Sequence, residues 1–255
     1  LKKKFLFFLL FVLATVLAAC GGGTDEGAEN NGEKAGDGGQ ASSFGESVDY
    51  KIIGIEPGAG IMQATERALE EYENLADWKL VESSSAAMAA ELQKAYEKEE
   101  PIVITGWTPH WKFAKFDLKY LEDPKGIYGD EESIHTFVRE GLKDDHPNAY
   151  KVLDQFYWTP DDMAAVMVDI QDGMEPAEAA AKWVEENSDK VAEWTKGAEK
   201  VDGDKISIAY VAWDSEIASS HVVEKVLSDI GYEVELLQLD AGPMFAAVSQ
   251  KDADA

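Results

Sequence analysis

The strongest constraint on the fold is an alternation that occurs twice. Tyr50 to Ile55 reads as a strand, and Ile61, Thr65, Ala68, Leu69 and Tyr72 then follow helical spacing. Trp78 to Glu82 alternates as a second strand, and Ser83, Ser84 and Ser85 offer N-caps for a helix over about 86–98. Pro101 opens a third apolar run, Ile102 to Gly106. Strands separated by helix-length segments demand crossover connections, and so a mostly parallel sheet with helices on its faces. The pattern resumes at Ile206, with a strand over 206–213, a helix over 217–230 closed by Gly231, a strand over 232–239 and a helix over 244–249. Ile61 pairs with Ile217 and Met88 with Met244 at one common offset, which suggests two similar lobes. The intervening helix does not hold that spacing. The segment between, 128–199, reads as helical, with Thr159-Pro160-Asp161-Asp162 and Pro176 as helix starts. Its tryptophans, Trp158, Trp183 and Trp194, read as packing residues on amphipathic helices. The expected fold is α/β, two-lobed and like that of type II periplasmic binding proteins. The chain stops at Ala255 in mid-pattern, which reads as a second lobe truncated at its C-terminus.

Ahead of the lobes, Lys2, Lys3 and Lys4 precede an apolar run from Phe5 to Leu17, too short for the ~20 residues of a spanning helix. Residues 1–19 therefore read as a signal peptide. Leu17-Ala18-Ala19-Cys20 resembles the bacterial lipoprotein signal, which implies lipidation of Cys20, the only cysteine, and a place on the outer face of the cell membrane. Residues 20–47 are rich in Gly, Ser, Asn, Asp and Glu, cannot bury enough surface to order themselves, and read as a flexible tether. As a coil, 21–47 reaches about 30 Å. Phe44 is its only large apolar side chain. Residues 48–255 are the folded part.

Fifty acidic against 23 basic residues, a formal charge of -27, argue against nucleic acid and anionic lipid as partners and tolerate a cationic or zwitterionic ligand. A lone cysteine permits neither an internal disulfide nor a cysteine zinc site, and the histidines at 110, 135, 146 and 221 have no metal-binding spacing. No metal or cofactor is expected.

Trp107 and Trp213 each follow a strand-like run, where a side chain projects into a cleft. A quaternary ammonium has no N–H to donate and spreads its charge over methyl groups. Aromatic faces suit it, tryptophan best, at roughly 0.5–2 kcal/mol per contact. Glu56-Pro57-Gly58-Ala59-Gly60-Ile61 offers the complement: Gly60 and Ile61 open a helix, whose free amides favour an anion. The same turn reads equally as a plain strand-to-helix connection. Asp214 and Glu216 read as helix-start caps or as an acid/base pair, and His110 as a satisfied loop histidine or as polar rim.

Three segments carry a resemblance: Gly54-Ile55-Glu56-Pro57-Gly58-Ala59-Gly60-Ile61-Met62, Ile104-Thr105-Gly106-Trp107-Thr108-Pro109-His110-Trp111, and Ala209-Tyr210-Val211-Ala212-Trp213-Asp214-Ser215-Glu216-Ile217-Ala218-Ser219. Over 48–255 the chain resembles the glycine betaine-binding lipoproteins of bacterial ABC importers. The resemblance implies lobes closing like a jaw, with three tryptophans around the trimethylammonium group and two amides and a histidine on the carboxylate. It makes Trp107 and Trp213 two walls of the cage and gives Gly60 and Ile61 the amide role. The third tryptophan and the histidine belong to a further segment of the second lobe that this sequence lacks. None of the four histidines matches that one by motif, so the chain as written is expected to bind betaine poorly and its full-length parent to bind it. The implied partners are a small quaternary-ammonium zwitterion, a membrane permease and its ATPase. Alternatives are a receptor for choline, carnitine or proline betaine, a surface enzyme using Asp214, Glu216 or His110, and a sensor without a transporter.

Overall fold

The computed structural model describes residues 43–255. The signal, Cys20 and most of the tether lie outside the described residues. The tether's last residues are folded: α1 (Phe44–Ser47) is closed by a capping box between Ser43 and Glu46. The Phe44 ring lies 6.3 Å from that of Trp78.

The first lobe is built on β1 (Lys51–Ile53), α2 (Gly60–Glu71), β2 (Lys79–Val81) and α3 (Ser85–Glu97). β1 pairs with β2 in parallel, Ile52 opposite Leu80. The Ile102–Gly106 run joins the other edge of β1 through one parallel bridge, Ile53 to Ile104. Two bonds hold it, Ile53 N–H to the Val103 carbonyl and Thr105 N–H to the Ile53 carbonyl, each 2.9 Å. The third strand expected from the sequence is thus a bridge rather than a full strand. Ser84 caps α3, its hydroxyl accepting from Ala87 N–H. Gly54 keeps the sheet close to α2: a Cβ there would lie 2.4 Å from the Met62 sulfur.

A short helix, α4 (Lys112–Lys115), comes next, and the chain then runs without helix or strand to α5 (Leu142–Asp145). The helical reading therefore fails for 128–141. Gly129 and Gly141 both adopt positive φ there, and although Ile134, Phe137 and Val138 stand at helical spacing, Ile134 and Phe137 stay exposed and bury no helix face. Beyond it the reading holds: α6 (Pro147–Gln155), α7 (Pro160–Gln171), α8 (Pro176–Glu186) and α9 (Ser188–Trp194). Thr159 and Asp162 form a capping box at α7, and Pro opens α6, α7 and α8. Trp183 and Trp194 are buried and stacked at 5.5 Å, with Trp158 edge-on to Trp183.

The second lobe repeats the first: β3 (Lys205–Tyr210), α10 (Asp214–Asp229), β4 (Glu233–Gln238) and α11 (Ala241–Gln250). β3 and β4 pair in parallel, Ile206 opposite Val234. Gly231, at φ 104°, turns the chain out of α10; a Cβ there would lie 2.0 Å from the Val201 carbonyl oxygen. Asp254 and Ala255 approach the free edge of β3, where Ala209 N–H donates to the Ala255 carbonyl at 2.8 Å. The order of elements repeats, but Ile61 is the second residue of α2 and Ile217 the fourth of α10, so of the two pairs only the methionines correspond. Met88 and Met244 both sit four residues into their helices, and both are buried.

Three apolar cores are present among the described residues. The largest gathers α6 to α10 with β3, and takes in Trp111 from the first lobe's motif. A second lies in the first lobe around Ile53, Ile55, Ala59, Met62 and Met88, and a third in the second lobe around Ala209, Val211, Met244 and Val248, with Trp213 packed against it. Among the described residues no helix is long and apolar enough to cross a membrane.

Candidate ligand site between the lobes

In parallel α/β sheets, ligand sites form beyond the carboxyl ends of the strands. Here the ends of β1 and β3 lie together. A hollow of about 310 Å³ is lined by Glu56 just past β1, by Val211 and Ala212 past β3, and by Leu239 and Asp240 past β4.

Three of the four residues singled out in the sequence meet at the first-lobe core. Ile61, Trp107 and Trp213 all pack against its surface, each half-buried. Gly60 adjoins them and is exposed. Gly60 and Ile61 are the first two residues of α2, and their amides donate to no acceptor among the described residues, as expected of a first helical turn. The N-cap, Ala59, has no side chain to offer them, and the first turn carries no acid. Gly58, at φ 90°, is the position in this turn that requires glycine; a Cβ on Gly60 would meet open space.

Trp213 is the N-cap of α10, in extended conformation. Its indole N–H donates to Glu56 Oε2 at 3.0 Å. The other oxygen of Glu56 accepts from the backbone N–H of Ser85 at 3.0 Å. Asp214, next in the chain, also reaches the first lobe. It accepts from the Ser85 hydroxyl, His110 Nε2–H and Trp111 Nε1–H, each at 3.1 Å. Asp214 makes no cap bond to its own helix, and its oxygens face the first lobe. Burial pushes its carboxyl up, but these three donors outweigh burial and hold it below the ordinary carboxylate range. Glu216 does work near its helix start, accepting Val211 N–H at 2.9 Å. Burial raises its carboxyl despite that bond.

His110 is buried and stands edge-on to Trp107, ring centres 4.8 Å apart. Its Nδ1 accepts Lys112 N–H at 3.2 Å, which places the ring proton on Nε2, facing Asp214. Burial first, and then the positive charge of Lys112, lower its pKa against the pull of Asp214. Both ring nitrogens are engaged, so the histidine has none left to serve a substrate as a base. The satisfied-histidine reading is the one the geometry supports.

Sequence reasoning missed Lys112. It is fully buried; its ammonium lies 4.2 Å from the centre of the Trp107 ring and donates to the Thr105 carbonyl at 3.3 Å. Burial lowers its pKa to about 8, with Asp214 opposing. The Lys112 ammonium occupies one face of the Trp107 indole, which leaves the opposite face for a ligand cation. The second wall, Trp213, carries no such charge. Glu56 and Trp111 lay inside the quoted motifs but had no legible role there, because their partners are 157 and 103 positions away in the chain. Among the described residues no cluster of His, Cys, Asp and Glu suits a metal ion.

A sequence profile of the substrate-binding domain of ABC-type glycine betaine transport systems matches residues 34–186 and 204–255. The chain is 50% identical, over all of its 255 residues and 81% of the relative, to the glycine betaine/carnitine transport binding protein of Listeria monocytogenes serotype 1/2a (strain 10403S). Among solved structures, lactococcal OpuAC, closed and complexed with glycine betaine, aligns at a TM-score of 0.57 and 56% identity, covering 58% of each chain. The glycine betaine/L-proline-binding protein of Borrelia burgdorferi aligns at 0.55 and 39% identity, over 60% of this chain and 58% of that one. A choline-binding protein of an ABC transporter, complexed with choline, aligns at 0.55 and 28% identity, over 74% of this chain and 61% of that one. The chain thus spans less than two thirds of the solved chains it matches. The two-lobed α/β fold is that of type II substrate-binding proteins.

Proposed function

The chain belongs to the family of substrate-binding domains of ABC-type glycine betaine transport systems, and on that premise we propose that it captures glycine betaine or a close quaternary-ammonium zwitterion outside the cytoplasm. The observation that carries the reading is the convergence of Trp107, Trp213 and the open amides of Gly60 and Ile61 on one apolar surface. The indoles take the methylated cation and the amides take the carboxylate. One cation–aromatic contact contributes roughly 0.5–2 kcal/mol, so two walls and a helix start supply only part of what micromolar binding needs.

Capture is reversible binding with movement of the lobes, and the ligand leaves unchanged. His110 has both ring nitrogens engaged and Asp214 accepts three bonds, which favours binding over turnover. Delivery to a permease driven by an ATPase follows from the family's role in transport. Lipidation of Cys20 would hold the receptor at the membrane, in keeping with the Leu17-Ala18-Ala19-Cys20 box. Carnitine is a second ligand to test, since the Listeria relative carries it in its name. Choline has no carboxylate and would leave the Gly60 and Ile61 amides unpaired.

Calorimetry on the full-length protein with glycine betaine, carnitine and choline tests the reading. The carboxylate ligands should bind with one-to-one stoichiometry and without product. Trp107→Ala and Trp213→Ala should each weaken binding at least tenfold, about 1.4 kcal/mol. Unchanged affinity in both variants would remove the cage.

A further inference from the structure

Each carboxylate at the lobe boundary grips an indole of the other lobe. Glu56 follows β1 in the first lobe and holds Trp213 at the start of α10. Asp214 opens α10 in the second lobe and holds Trp111, which is buried in the largest core. Ser85 joins the two carboxylates, giving its N–H to Glu56 and its hydroxyl to Asp214, and it is itself fully buried. From Asp214 the chain continues through His110 to the edge of Trp107. A continuous path of hydrogen bonds and one ring contact therefore links the two walls of the cage.

We propose that Glu56 is a positioning residue of the ligand site: it fixes the Trp213 indole by its only polar atom and, through Ser85 and Asp214, ties that wall to the wall formed by Trp107. The inference rests on the cage reading of the two tryptophans. An indole attracts a cation over its face and not at its edge. A half-buried tryptophan free to turn about its two side-chain torsions would spend part of its binding energy on being ordered. The Glu56 bond removes that freedom before the ligand arrives. Each Glu56 oxygen accepts one N–H donor, so the carboxylate is aligned between the Trp213 ring and the Ser85 backbone. The bond also crosses the lobes. Any opening of the cleft must therefore break it, and lobe position and ring orientation change together.

The test uses the whole protein and two readouts, one of them independent of ligand. In 1H–15N spectra the Trp213 indole N–H, assigned by its loss in Trp213→Phe, should exchange slowly with solvent. Glu56→Ala should shift it and speed its exchange, while Glu56→Gln, which keeps a carbonyl acceptor, should restore slow exchange. In calorimetry with glycine betaine, Glu56→Ala should weaken binding about tenfold and Glu56→Gln less than threefold. In a Trp213→Phe background, where the donor is gone, Glu56→Ala should add less than a twofold loss. Rapid exchange in the wild type, a Glu56→Gln variant as impaired as Glu56→Ala, or full multiplication of the two losses in the double variant would each overturn the proposal. If Glu56→Ala does not fold, the wild-type exchange rate and Glu56→Gln still decide. A protected, Glu56-dependent indole in a protein that ignores glycine betaine would instead sink the function proposed above and leave the inter-lobe bond standing.

Discussion

The two lobes begin with the same strand–turn–helix unit, and they finish the turn in opposite ways. Ile53 and Ala209 occupy the same place: each is the middle-strand residue whose N–H bonds the incoming third segment, at Val103 and at Ala255. In the first lobe the following helix starts at Ala59 with no capping side chain and no acid in its first turn. In the second it starts at Trp213 with Asp214 and Glu216 in its first turn. One helix start is left open and electropositive, as an anion needs. The other is neutralised by acids and presents an aromatic ring, as a methylated cation needs. On the proposed reading, one helix start supplies open backbone amides and the other an aromatic ring, the two halves of a zwitterion site.

Four changes would break or sharpen that contrast. The largest effect is expected from Asp214→Ala. It strands His110 Nε2–H, Trp111 Nε1–H and the Ser85 hydroxyl at a boundary where water has poor access, and should cost about 2–4 kcal/mol in denaturant unfolding. Because Asp214 is held below its ordinary range when folded, the stability it supplies is present above the unfolded carboxylate pKa and is lost as pH falls through the lower folded value. A loss under about 0.5 kcal/mol would mean that the second lobe's helix start does not depend on the first lobe.

Lys112→Met should act in the opposite direction. The buried ammonium titrates at about 8 against an ordinary 10.5, so between those values the unfolded chain carries a proton that the folded chain has released. Stability of the natural protein therefore rises with pH across that window, and at pH 7 the charge costs up to about 3 kcal/mol. The bond to Thr105 and the contact with Trp107 offset part of this. Thermal unfolding from pH 7 to 10.5 should show the rise in the wild type and a flatter profile in the variant. An equal slope in both would place the titration elsewhere.

Ala59→Ser tests the open helix start. A hydroxyl at the N-cap can accept a first-turn amide, which should stabilise the protein by about 0.5–1 kcal/mol. The same hydroxyl would compete with a ligand carboxylate, so glycine betaine and carnitine should lose affinity while choline changes least. Gain in stability without loss of carboxylate binding would show that the amides of Gly60 and Ile61 are not the anion site. Smallest is Glu216→Gln, which keeps an acceptor for Val211 N–H. It should change stability by under about 0.5 kcal/mol at pH 7, and a larger effect would show that its charge matters to α10.

The sequence was most readable where local chemistry suffices. The Thr159–Asp162 capping box, Pro at the starts of three helices, Ser84 at α3 and Gly231 after α10 act within a few residues of themselves. The third run, Ile102 to Gly106, looked like a strand but forms a single bridge, since pairing depends on what β1 can reach and not on the run's own apolarity. Phe44 illustrates the same point at the tether, where its contact with Trp78 was not readable from composition. At the site, Trp107, Trp213, Gly60 and Ile61 stood out by residue type and position after strands. Lys112 did not, because its spacing looks like that of any surface lysine in a short helix.

By itself the sequence determined the repeated strand–helix units, their caps and breaks, and which residue types were available to meet a cation and an anion. These depend on interactions between near neighbours, for which spacing is a sufficient description. Only the tertiary structure decided that Glu56 meets Trp213, that Asp214 faces the first lobe and ignores its own helix, and that an ammonium lies on Trp107. The first two join residues more than a hundred positions apart. The third depends on burying a charge, and what burial costs is set by the surroundings that folding brings together.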